Sequence, residues 1–192
     1  MLNRTLIALL LLIISTAASA QKLDLSLSPD TARFSITNLI GGTSFGRTEL
    51  TAGFLFNEDD NTVFDIGLQV IDLAGTKTPG LEIGVGPRLY FVSMDNPNAD
   101  GAALALGGNL RYKSPDIQRL AFYGDFYFAP GITSFMDADG MTEFGLRVAY
   151  EIHPTADAYV GYRRIRMEVD KAGFDGSKTV DSGIFLGIRL AY

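Results

Sequence analysis

Charged side chains of both signs recur at every second position of otherwise apolar stretches: Glu49, Asp65, Glu82, Arg88, Arg111, Asp125, Glu143, Arg147, Glu151, Arg163 and Arg189. On an extended chain that spacing puts the charges of each stretch on one face. Mixed charges facing a common interior have two uses. They pair into a network that fills a narrow space, because an unpaired buried charge is costly, or they line a water-filled passage as an eyelet. Covalent catalysis fits poorly. The chain has one histidine, His153, before Pro154 in a turn, and no cysteine, so the usual base and thiolate nucleophile are missing or misplaced. Acidic loops at Glu58-Asp59-Asp60, at Asp95 with Asp100 and at Asp137-Ala138-Asp139-Gly140 offer oxygen ligands but lack the spacing of a calcium loop, and they read as solvated. No catalytic residue, metal site or cofactor is expected.

The elements that must carry these charges are strands. The final stretch, Gly183 to Tyr192, sets Ile184, Leu186, Ile188, Leu190 and Tyr192 on one face against Gly183, Phe185, Gly187, Arg189 and Ala191. An unbroken apolar row ending in an aromatic suits a strand whose outer face meets lipid. The same period of two runs through Lys22 to Ser28, Ala32 to Leu39, Arg47 to Phe56, Val63 to Ile71, Leu81 to Val92, Ala102 to Lys113, Leu120 to Ala129, Met141 to Ile152 and Ala156 to Asp170. In the last of these the pattern degrades from Arg164 onward. Pro87 lies on the apolar face of its strand, where it removes a ladder donor. The pattern predicts an all-β fold: an antiparallel up-and-down transmembrane barrel of about ten strands, with eight as the alternative.

Composition narrows the setting. Arg4, the apolar run Leu6 to Ile14 and Ala18-Ser19-Ala20 make a secretory signal cleaved after Ala20, leaving residues 21–192 as one barrel domain. Loss of Arg4 with the leader turns the formal net charge of −6 into −7, which argues against nucleic acid as a partner. No apolar run after the leader is long enough for a transmembrane helix. Short polar turns at Lys113 to Asp116 and His153 to Thr155 are expected on the periplasmic side. The acidic connections Asn57 to Thr62, Ser93 to Asp100, Gly131 to Gly140 and Lys171 to Thr179 are expected outside. The expected location is the bacterial outer membrane, reached through the periplasm. The expected partners are outer-membrane lipid and, during biogenesis, periplasmic chaperones and the barrel-assembly machinery reading the C-terminal strand.

Four stretches carry a family resemblance: ALALGGNLRY (Ala103 to Tyr112), FYGDFYFAPG (Phe122 to Gly131), VGYRRI (Val160 to Ile165) and the C-terminal strand. In these the chain resembles the YfaZ family of outer-membrane proteins, over essentially the whole mature chain and most weakly before Thr48. The resemblance implies a small barrel described as porin-like, and it brings no catalytic residues. It moves a small channel for ions or solutes ahead of a structural or surface-interaction barrel whose lumen is closed by the charged network.

Overall fold

The computed structural model describes residues 22–43, 46–73, 79–96, 98–171 and 174–192; the leader read in residues 1–20 lies outside them. The strands are β1 (Lys22–Leu27), β2 (Thr31–Thr43), β3 (Gly46–Asn57), β4 (Thr62–Leu73), β5 (Leu81–Met94), β6 (Ala99–Lys113), β7 (Leu120–Ala129), β8 (Ser134–Met136), β9 (Ala138–His153), β10 (Ala156–Lys171) and β11 (Phe174–Ala191). Each long strand pairs antiparallel with its neighbours. The ring closes where Lys22 to Leu27 of β1 meet Ala191 to Leu186 of β11. β8 is an accessory piece: it pairs with Gly101 to Ala103 of β6, beyond the point where β7 stops. The wall is therefore a closed ten-stranded antiparallel barrel, which leaves no open sheet edge around most of its circumference.

Alternation decides the two faces. Leu106, Phe126, Leu146, Ile184 and Leu186 are exposed on the outer surface, whereas Asp65, Tyr90, Tyr127 and Glu143 of the opposite parity are buried inside. An apolar exterior over a polar interior is the transmembrane arrangement. Among the described residues no helix is long and apolar enough to cross a membrane; strands make the crossing.

Three local features depart from the simple pattern. The β4–β5 ladder is interrupted where Leu68 and Gln69 face Gly86 and Pro87, and its register is the same on both sides. Pro87 has no N–H to give, and Gly86 lets the Leu68 carbonyl come closer than a Cβ would allow. Second, β10 and β11 continue through most of Lys171 to Thr179, which the pattern reads as a loop. The far-end connections are correspondingly compact, and the expected contrast between short turns at one end and long loops at the other is small. Third, the register between these strands shifts once, Ile165 facing Asp181 and Arg166 facing Thr179. The extra residue, Val180, is buried beside Asp181, as a β-bulge requires.

Candidate functional site: the lumen

Two storeys divide the lumen. In the end that holds Lys22 and Ala191, the terminal end, inward side chains leave a chamber of about 380 Å³ lined mostly by polar and charged groups. At its mouth Lys22 and Arg47 share Glu49, at 2.7 and 3.0 Å, and Arg47 and Arg111 share Glu82, at 2.8 and 3.2 Å. Lys113 pairs with Glu151 at 3.3 Å. Deeper, Asp24 accepts from Arg147 and Arg189, each at 3.1 Å, and from the Tyr159 hydroxyl. Tyr159 lies across Gly187, where a Cβ would collide with the hydroxyl end of the ring.

Above the chamber runs a belt that ties opposite walls together. Arg33 on β2 reaches Asp65 on β4 at 2.7 Å and Glu143 on β9 at 3.1 Å. Glu143 also accepts from Arg88 at 3.2 Å and from the Tyr90 hydroxyl. The Arg88 guanidinium stacks 4.1 Å from the Tyr127 ring centroid, and Tyr127 in turn meets Gln69, which accepts from Asn109 at 2.7 Å. Arg163 pairs with Asp181 at 2.7 Å, and Thr31 donates to the other Asp181 oxygen. Charges this deeply buried persist because each has a partner of opposite sign.

Beyond the belt, toward the far end, the lumen turns non-polar. Leu55, Val63, Val92, Met94, Ala99, Ala103, Met141, Ile165, Met167, Val169 and Val180 form one cluster, each 3 % exposed or less. The wall inverts with it: Arg164, Arg166, Glu168 and Asp170 of β10 and Ser177 and Thr179 of β11 point outward and are exposed. The apparent loss of pattern after Arg164 is this inversion, period two continuing with its polarity exchanged.

Of the charges singled out in the sequence, Asp65, Arg88, Glu143 and Arg163 lie in the belt, and Glu49, Glu82, Arg111, Arg147, Glu151 and Arg189 lie in chamber ion pairs. Asp125 lines the chamber without an ion pair among the described residues. Asp24, Arg33, Arg47 and Asp181 were not singled out. Parity alone assigns the first three, since Leu23 and Leu25 flank Asp24, Ala32 and Phe34 flank Arg33, and Arg47 shares a face with Glu49. Asp181 has the parity of Arg189 as well, but it lies just before the strand as the pattern reads it, from Gly183. Ile184, Leu186, Ile188, Leu190 and Tyr192 are exposed on the outer face. His153 is exposed in the β9–β10 turn, its Nδ1 3.0 Å from Thr155 Oγ1. No cluster of three or more potential metal-binding side chains occurs among the described residues.

A comparison with curated proteins found no match. Among solved structures, the chain is similar to a bacterial polysaccharide outer membrane secretin (12 % identity, 84 % of this chain and 56 % of that one, TM-score 0.48), so it spans little more than half that protein's length. It is similar to the KdgM porin (9 % identity, 89 % and 98 %, TM-score 0.44), solved also in complex with disordered oligogalacturonate. The YfaZ precursor family model matches residues 3–192, so this ten-stranded barrel belongs to the YfaZ family.

Proposed function

We propose that the protein is an outer-membrane barrel closed to conduction, and that its working surface is the polar chamber open at the terminal end. One observation carries this reading: the chamber is roofed first by the cross-lumen belt and then by the buried cluster around Leu55, Met94, Met141, Ile165 and Met167. An ion crossing that layer would lose most of its hydration with no charged group among the cluster's side chains to replace it. The geometry thus favours the closed-lumen alternative over the channel to which the family resemblance gave precedence. In this reading residues 1–20 are a cleaved export signal, the terminal end faces the periplasm, and the row Ile184 to Tyr192 contacts lipid after serving as the assembly machinery's recognition strand. Most of the chamber's charged side chains are held in ion pairs, which supports binding rather than covalent chemistry.

Planar-bilayer recording on refolded protein tests the proposal. The native barrel should show no unitary conductance, and Glu143→Ala should stay silent because the non-polar layer is intact. A steady unitary current through the native protein would overturn the closed reading and restore the channel.

A further inference from the structure

Charge is not evenly shared inside the chamber. At its mouth and middle the ion-paired cations Lys22, Arg47, Arg111, Arg147 and Arg189 have only the carboxylates of Glu49, Glu82 and Asp24 between them. Three of these cations converge on one ring. The guanidinium carbons of Arg147, Arg189 and Arg111 lie 4.7, 4.8 and 5.7 Å from the centroid of Tyr123. Asp24, shared by Arg147 and Arg189, and Glu82 beside Arg111 offset only part of the mutual repulsion of three guanidinium groups. The Nε atoms of Arg111 and Arg147 are buried and have no hydrogen-bond partner, so donors at this cluster go unused where desolvation makes that costly. Asp125 and Asp157 also line the chamber yet form no ion pair. The Cα of Asp157 is paired in register with that of Arg189, whose side chain turns instead to Asp24.

We infer that the Arg111–Arg147–Arg189 cluster around Tyr123 is a binding site for a small soluble organic anion, a carboxylate or phosphate entering from the terminal end. The inference rests on the closed chamber proposed above. Guanidinium forks match the oxygens of either anion, and a chamber of about 380 Å³ has the size of a small-molecule site. Residues at the terminal rim of the chamber, Lys22, Lys113 and Glu151 among them, are charged, which favours a dissolved ligand over a lipid headgroup.

The test uses the full refolded barrel in zwitterionic micelles, titrated calorimetrically with inorganic phosphate and, separately, with succinate. One-to-one saturable binding of at least one probe is expected. Arg147→Gln and, nearer the mouth, Arg111→Gln should each weaken it about ten-fold, the size of one lost charge-assisted contact. Asp125→Asn, which removes an unpaired carboxylate from the chamber, should strengthen it. Arg164→Gln, on the outer face of β10 and outside the chamber, should leave affinity unchanged. Heat-modifiable migration confirms that each variant folds. Absence of saturation with both probes, or equal weakening by Arg164→Gln and Arg147→Gln, would overturn the site. Adding phosphatidylglycerol should not compete; if it does, the cluster belongs to a lipid headgroup and the inference fails. Conductance separates this inference from the closed reading, since a conducting barrel that still binds phosphate refutes only the latter.

Discussion

The two storeys of the lumen obey opposite rules inside one continuous wall. Around the chamber and belt the exterior is hydrocarbon, represented by Leu106, Phe126 and Leu186, and the interior is charged. Beside the far-end cluster β10 turns Arg164, Arg166, Glu168 and Asp170 outward and Ile165, Met167 and Val169 inward. Lipid outside removes the hydrophobic reason for a dry core, because apolar side chains gain little by leaving one hydrocarbon phase for another. Water outside restores it. On the reading proposed above, the inversion marks where β10 and β11 leave the bilayer, and beyond that line the barrel packs like a soluble one.

The largest effect should come from the belt, where charge is buried most deeply. Glu143→Ala strips Arg33, Arg88 and Tyr90 of a shared acceptor, and removing one partner of a buried ion-pair network costs about 3–5 kcal/mol. Urea unfolding of the refolded barrel measures it. A cost near zero would mean that water reaches the belt, making the lower storey a hydrated passage. In the upper storey Met167→Ala should cost about 2–4 kcal/mol through the cavity it leaves, with phosphate binding in the chamber unchanged. If that substitution alters binding, the storeys are not independent.

The outer face yields a smaller but sharper contrast. Phe126→Arg, on the lipid side, should destabilise by about 2–4 kcal/mol if it lies near the midplane. Glu168→Arg, at an equally outward position on β10, should change stability by less than about 0.5 kcal/mol, as exposed substitutions in water do. Equal costs would place the far end of β10 inside the bilayer and remove the physical reason given for the inversion.

Much of this architecture is readable from period two alone. It assigns Leu106 and Phe126 to lipid, and Arg88, Arg111 and Arg147 to the interior, because one parity is unbroken hydrocarbon across those strands. It does not reveal that the interior changes character, because Ile165 and Met167 look like misplaced lipid-facing residues until the neighbouring charges are known to stand in water. Nor does it reveal pairing. Arg33 meets Glu143 from a strand on the opposite wall, and nothing in either strand's local sequence specifies a partner across the lumen. Asp181 is missed for a third reason: it has the parity of Arg189, but it lies between the stretch that the pattern reads as a loop and the strand that it reads from Gly183.

The smallest effect belongs to the exposed ion pair that joins the far-end hairpins. Asp137, just before β9, holds Lys171 Nζ at 3.1 Å and accepts from the Asp100 N–H at 3.2 Å through its carboxylate, while its carbonyl accepts from the Asp170 N–H at 3.0 Å. The Lys171 hydrogen bond and the Asp100 amide hold its carboxyl below the ordinary carboxylate value. With the folded pKa depressed, the contribution is present in full above the unfolded value, near pH 4, and is lost as pH falls through the folded value. Because the carboxylate is solvated, global stability should not move measurably in Asp137→Asn. Local exchange should. In Asp137→Asn, and in the native protein at low pH after correction for the intrinsic rate, the Asp100 amide should lose protection while the Asp170 amide, bonded to the backbone carbonyl, keeps its own. Equal loss at both amides would mean that the carboxylate organises the whole joint. An exposed pair would then be acting with the authority of the belt, against the contrast between a hydrated far end and a buried ionic middle.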